Sequence, residues 1–229
     1  MGKQLERQRV AEEVLATLRS RILTGFYTPG AKLPPERELA KEMGVNRASL
    51  REALKKLEHL GLVSIRQGDG TRVTNYEKTA GIELISHLIP ISPDLAPDIF
   101  EFRRVFGSQI ARLAAERATD EHIAELRELA ARARQPELSA EEVFDADFAF
   151  YAALSSAAGN RVIGMLVNTV RKSTDAFRPL LALLIVSREL VSRHHDDLIG
   201  AIVARDADRA ARVANAYLLA GEKKVLTGA

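Results

Sequence analysis

Residues 29–73 read PGAKLPPERELAKEMGVNRASLREALKKLEHLGLVSIRQGDGTRV, and the punctuation inside this stretch decides the fold. Pro34-Pro35 precede a short helix from Glu36 to Met43, because proline is tolerated where a helix starts. Leu39 and Ala40 face inward on it. Gly44 ends it, with Val45 as a buried turn residue. Asn46 is placed to cap a third helix by accepting a backbone N–H, and that helix runs to Leu60. Leu50, Ala53, Leu54, Leu57 and Leu60 make its apolar stripe, and Gly61 is its stop. Beyond Gly61 the apolar period changes from 3.6 to 2. Leu62–Arg66 and Thr71–Thr74 read as short strands, with Gln67-Gly68-Asp69-Gly70 as the turn.

Upstream, residues 5–24 form a first helix, in which Val10, Val14, Leu15, Leu18, Ile22 and Leu23 recur every three or four positions. Gly25 and Pro29-Gly30 turn the chain out of it. Three helices followed by a hairpin is the order of a winged helix. Its second and third helices have the helix-turn-helix arrangement, whose later helix enters the major groove of DNA.

The charges fit that use. Residues 1–76 carry 14 Lys and Arg against 9 Asp and Glu, whereas residues 77–229 carry 19 against 22. A basic first unit on a mildly acidic remainder suits a nucleic-acid binder with a second domain. On the third helix Arg47, Arg51 and Lys55 stand at i, i+4 and i+8, opposite the leucines. A charged row is usually a solvated face. Here Arg37 on the second helix and Arg66 and Arg72 on the hairpin add basic groups on the elements that flank a groove, which favours a DNA-facing surface.

The whole chain of 229 residues is long enough for two small domains, each with a core. It has no cysteine, which excludes disulfides and thiolate metal sites. No apolar run nears the roughly 20 residues of a membrane span, and residues 1–9 lack a signal-peptide core. A cytoplasmic protein without membrane association is the expectation. Residues 1–75 are taken as the winged helix-turn-helix, 76–79 as a linker and 80–229 as an all-α bundle of about seven helices. Those helices are expected near 79–89, 94–118, 120–133, 139–157, 160–184, 187–204 and 207–226. Ser139 with Glu142 offers a capping box, and Asp120 with Glu121 offers helix-start chemistry. Facing helices of such a bundle can hold a pocket.

The stretch quoted above resembles the DNA-binding domain of the GntR family of bacterial regulators, over nearly all of residues 10–74. It carries Leu33-Pro34, Glu36-Arg37, Leu39-Ala40, Gly44-Val45, Arg47, Arg51-Glu52-Ala53-Leu54, Gly61-Leu62 and Gly68-x-Gly70-Thr71. The resemblance implies dimeric binding to a short palindromic operator in double-stranded DNA. Arg37, Arg47 and Arg51 would reach bases or phosphates, and Gly68 would enter the minor groove. With their neighbours, the residues assigned to DNA are Arg37, Asn46, Arg47, Ser49, Arg51, Lys55, Arg66, Gln67 and Gly68. Pro35 stands where the family often has a capping Ser, so that cap must be made otherwise. Asn46 and Ala48 replace a common Ser/Thr.

The remainder resembles the FCD ligand-binding domain of the FadR subfamily, through FEFRRVFGSQIARLAAERAT, DFAFYAALSSAAGN and HHDDLIGAIVARDADRAARVANAYL. Many such domains hold a metal on an Asp and three His. The matching positions here are Asp147, Tyr151, His195 and Tyr217. A neutral phenol is a poor ligand for a divalent ion at pH 7, and His194, about 100° round the helix from His195, is not expected to replace Tyr151. No metal and no other cofactor is therefore expected. Arg103 is the candidate to meet an effector's charge, with Arg104 as the solvated alternative. Tyr151, His195 and Tyr217 could bond the effector's polar end, or simply satisfy one another. Asn160 is assigned to the effector site, with a helix cap as its plainer role.

The subfamily's name-giving member lacks this metal set and senses long-chain acyl-coenzyme A, so the resemblance makes a fatty acyl-CoA or fatty acid a candidate effector. Ile163, Met165, Leu166, Phe177, Leu180, Leu181 and Leu184 would line its pocket, or form an ordinary core or dimer face. A small carboxylate or sugar acid is the alternative effector, and a ligand-free protein-interaction module the alternative function. No nucleophile–base motif or phosphate loop points to an enzyme. The expectation is a homodimeric regulator, more often a repressor in this family, in which the effector changes the spacing of two recognition helices through the linker.

Overall fold

The computed structural model describes residues 2–174 and 181–227, which form two compact units dividing between Ile91 and Ser92. In the first, α1 (Gly2–Leu23), α2 (Glu36–Glu42) and α3 (Arg47–His59) precede strands β1 (Val63–Arg66) and β2 (Gly70–Val73). The strands pair antiparallel, with Val63 opposite Val73 and Arg66 opposite Gly70. Leu18, Leu39, Leu50, Leu54, Leu57 and Leu62 are fully buried and form the common core of helices and wing. Each such side chain stabilises the fold by about 1.5–3 kcal/mol relative to exposure.

The expected winged helix is present. Asn46 caps α3, its Oδ1 accepting from the Ser49 amide at 2.9 Å. At α2 no side chain caps the start. The Pro35 carbonyl accepts the amides of Glu38 and Leu39, and Glu36 and Glu38 place negative charge in the first turn. The wing has a third element that local periodicity did not reveal: Lys32 bridges to Arg72, and the Leu33 amide donates to the Thr71 carbonyl at 2.9 Å.

The segment expected as a linker, 76–79, is a helical turn, α4 (Tyr76–Thr79), started by the Asn75 side chain. It docks on Gly61. The Gly61 carbonyl accepts the hydroxyls of Thr74 (2.5 Å) and Thr79 (2.7 Å). The expected helix over 79–89 is broken at Gly81 into a 3-10 turn, Ile82–Leu84, and the short α5 (Ile85–Leu88). Leu84 and Leu88 are buried, and Arg19 on α1 lies 3.2 Å from His87. The first unit therefore continues past residue 79.

The second unit is helical: α6 (Ala96–Arg117), α7 (Asp120–Ala133), α8 (Ala140–Ala157), α9 (Arg161–Thr174), a 3-10 turn Ala182–Leu184, α10 (Arg188–Val203) and α11 (Ala207–Thr227). The capping box of Ser139 and Glu142 starts α8, and Thr119 with His122 starts α7 in the same way. Small residues let the helices approach closely. Ala111, Ala114, Ala115, Ala210 and Ala214 are buried, and a Cβ on Gly107 would lie 2.6 Å from Leu218 Cδ1. The helix expected over 160–184 is described only to Thr174, and Phe177 and Leu180 lie outside the described residues. Among the described residues no helix is long and apolar enough to cross a membrane.

Gly61 has φ +72°, and an added Cβ would meet the Thr79 carbonyl oxygen at 2.5 Å. Gly61→Ala is expected to lower stability by about 2 kcal/mol or more, from left-handed strain and the displaced turn. A fall in the urea midpoint with helical circular dichroism retained would bear this out.

Candidate functional site

On α2, α3 and the wing, Arg37, Asn46, Arg47, Arg51, Lys55, Arg66, Gln67 and Gly68 are all exposed. Ser49 is not. It is fully buried with its hydroxyl unpartnered among the described residues, because it lies one turn before Ala53 on the apolar side of α3. Its assignment to DNA is therefore corrected. Arg72 also differs from expectation, since Asp69 at the wing tip holds it at 3.1 Å and takes Lys32 at 3.3 Å. Sequence reasoning missed Glu36. Its carboxylate lies 2.7 Å from Arg51 Nε and 3.5 Å from Arg47 Nη2.

In the second unit α6, α8, α10 and α11 bring Arg103, Asp147, Tyr151, His194, His195 and Tyr217 into one polar cluster. Asp147 Oδ1 accepts from His195 Nε2 at 2.9 Å, and His195 stacks on Phe150 with 3.9 Å between ring centres. The Tyr151 hydroxyl is 3.0 Å from His194 Nε2, and His194 stacks on Tyr217 at 4.0 Å. His194 thus belongs to the cluster, which sequence reasoning did not assign to it. The rotation between the two histidines sends them to different partners within one buried face. The signal was available: Val191, His194, His195 and Leu198 follow i, i+3, i+4, i+7 spacing.

Asn160 is not brought to the cluster. It is exposed, and its Oδ1 accepts from the amides of Val162 and Ile163 at the start of α9. Met165, expected to line a pocket, is 66% exposed, while Ile163 packs on the core.

Electrostatics set what the cluster can do. Burial pushes both phenols well above their ordinary range, with Asp147 adding to the rise and Arg103 opposing it. Tyr151 and Tyr217 are therefore neutral at pH 7. Burial pulls His194 down to about 3, so it too is neutral. Arg103 is partly exposed by surface area, yet its guanidinium is desolvated enough for burial to lower its pKa. Its nearby carboxylates are engaged elsewhere: Asp147 with His195, and Glu222 with Arg104 at 2.6 Å. Among the described residues, Arg103 has no hydrogen bond or close ion pair.

Such a set does not fit a divalent metal. Two of the four positions are phenols held protonated, and a cation already faces them. Among the described residues no three His, Cys, Asp or Glu side chains group as metal ligands.

Residues 10–73 match the gntR family of bacterial regulatory proteins, and residues 98–220 match the FCD domain. The chain belongs to the GntR family. An HTH-type transcriptional regulator of Mycobacterium tuberculosis is 32% identical to this GntR regulator, over 96% of the chain and 91% of the relative. A fatty acid metabolism regulator protein of Edwardsiella ictaluri is 32% identical over 66% of the chain and 63% of its own length. A solved GntR structure from Streptococcus agalactiae covers 93% of the chain and 99% of its own, with TM-score 0.50 and 25% identity. A Listeria monocytogenes structure at 19% identity, with TM-score 0.58 over 95% of the chain and 96% of its own, shares the fold. This GntR regulator thus combines a DNA-binding winged helix with an FCD domain of the FadR type, a class that binds DNA and a small-molecule effector.

The depressed pKa of His194 makes stability depend on pH. Unfolded, the ring takes a proton below about 6.5; folded, it resists down to about 3. Stability is thus fully present above pH 6.5 and falls as pH drops towards 3, by up to about 1.4 kcal/mol per pH unit from this group. His194→Asn should flatten the dependence of the urea midpoint between pH 4 and 6.5. An undiminished slope would contradict the assignment.

Proposed function

We propose that this regulator acts in the cytoplasm as a homodimer, and that a carboxylic acid bound at Arg103 controls its affinity for a palindromic operator. The observation that carries the effector class is the unmatched Arg103. A desolvated cation whose neighbouring carboxylates are engaged calls for an anion. The neutral Tyr151 and Tyr217 stand near it, their hydroxyls engaged by His194 and Asp147, and a carboxylate is an acceptor that would draw phenols and a guanidinium together. A fatty acid combines that head group with the relatives named as fatty acid metabolism regulators. A sugar acid or other small carboxylate would satisfy the same head group.

An acyl-coenzyme A, the other effector that the FadR resemblance implies, is the second reading. It fits the cation less well, because a thioester is neutral and its phosphates are remote from the acyl end. A crevice of about 640 Å³ beside α8 is lined by Phe144, Phe148, Glu125, Asp145 and Arg171 among others. It includes none of the residues assigned to the effector.

For DNA, the reading assigns Arg37, Arg47, Arg51 and Lys55 to bases and phosphates, with Arg66, Gln67 and Gly68 at the minor groove. The exposure of all of them supports it. Two recognition helices would then enter the major groove about 34 Å apart. The docked segment from Asn75 to Leu88 is the natural route by which the effector biases that spacing. A coupling of about 1–3 kcal/mol suffices.

Thermal shift tests the effector. Straight-chain acids, sugar acids and acyl-coenzyme A species are screened against wild type and Arg103→Ala. At a hundred times the dissociation constant, the right acid should raise the melting temperature by about 5–10 °C. Arg103→Ala should abolish the shift. An equal shift in that variant would remove Arg103 from the site.

A further inference from the structure

We propose that Glu36 is a positioning residue for DNA recognition, a carboxylate clamp that holds Arg47 and Arg51 in the free protein and makes binding more sequence-selective. The proposal rests on the assignment of Arg47 and Arg51 to the DNA-reading face. Glu36 lies in the first turn of α2, whereas the two arginines lie one turn apart on α3. One carboxylate oxygen, Oε2, serves both, at 2.7 Å from Arg51 Nε and 3.5 Å from Arg47 Nη2. Among the described residues neither Lys55 nor Arg37 on the same face has an ion-pair partner, so the clamp acts on the two arginines in the early turns of α3 and not on the basic row as a whole.

The geometry matters because a guanidinium has five donors in a rigid fork. With Nε–H of Arg51 donated to Glu36, its two terminal nitrogens remain as a pair facing away from the clamp. Two parallel N–H donors are what guanine O6 and N7 accept in the major groove. An exposed arginine that is held loses less freedom on binding than one that is not. The carboxylate also removes one unit of positive charge from the face, which weakens attraction to any phosphate backbone regardless of sequence. Holding the fork favours the specific complex, and cancelling charge disfavours the rest. Selectivity is a difference between affinities, and the two effects add in it.

An exposed ion pair in this setting contributes little to folding. A purely structural role would therefore show as an equal change in every DNA complex.

The test selects bound duplexes from a random-sequence pool with wild type, Glu36→Gln, Glu36→Asp, Arg47→Ala and Arg51→Ala. Affinities for the wild-type-enriched duplex and for unselected pool DNA are then measured across a salt series. For Glu36→Gln, pool affinity should rise and its log–log salt slope steepen by up to about 0.9, the value of one added phosphate contact. The enriched-to-pool ratio should fall by about tenfold. Glu36→Asp keeps the charge and the helix start but is too short to hold both arginines. It should lose the ratio without the gain in pool affinity. A Glu36→Gln ratio and salt slope matching wild type would overturn the clamp, as would equal weakening on both DNAs with a lowered melting temperature in both Glu36 variants. If Arg47→Ala and Arg51→Ala still enrich the wild-type sequence, the assignment of the DNA-reading face falls, and the clamp with it.

Discussion

A guanidinium placed inside a helical bundle constrains everything around it. Arg103 is desolvated enough for its pKa to fall, and the neighbouring carboxylates are engaged by His195 and Arg104. Beside it stand two phenols that burial keeps protonated, an imidazole that burial keeps uncharged, and the pair of Asp147 with His195. Stacking of His195 on Phe150 and of His194 on Tyr217 fixes the rings. Arg103 is the charged group of the cluster without a hydrogen-bonded partner among the described residues, and the proposed anionic effector would meet it there.

The winged helix follows a different logic. Its core is a set of leucines from all three helices and the wing, and its working face is almost wholly polar and exposed. The charges on that face are partly internal. Asp69 takes Arg72 and Lys32 at the wing tip, and Glu36 takes Arg47 and Arg51. What remains to meet DNA is thus less than the count of basic residues suggests. Within this unit Gly61 seats the turn at Tyr76–Thr79, because its carbonyl and its missing side chain together admit Thr79.

Local signals in the sequence carried most of the fold. Asn46, Gly44, Gly61 and the change of period after it marked α3 and the hairpin, and Ser139 with Glu142 marked α8. The bridge from Lys32 to Arg72 escaped, because a single residue pairing forty positions away leaves no period. The helix expected over 79–89 is broken into turns by Gly81 and by the docking of Thr79 at Gly61. Charge and family position singled out Arg103, Asp147, Tyr151, His195 and Tyr217, which the fold brings together. Ser49 instead shares its buried face with Ala53, and Asn160 takes its plainer role as a cap. Spacing along its helix put His194 on the buried face with His195, whereas Glu36 depended on which side chains meet across helices, and spacing along one helix does not report that.

The central claim is that the bundle recognises negative charge at Arg103. Calorimetric titration of the acid giving the largest thermal shift, beside its methyl ester and its coenzyme A thioester, tests it most directly. The acid should bind at least about a hundredfold more tightly than the ester, because the ester leaves the desolvated cation without an anion. Ester or thioester binding as tight as that of the acid would contradict it.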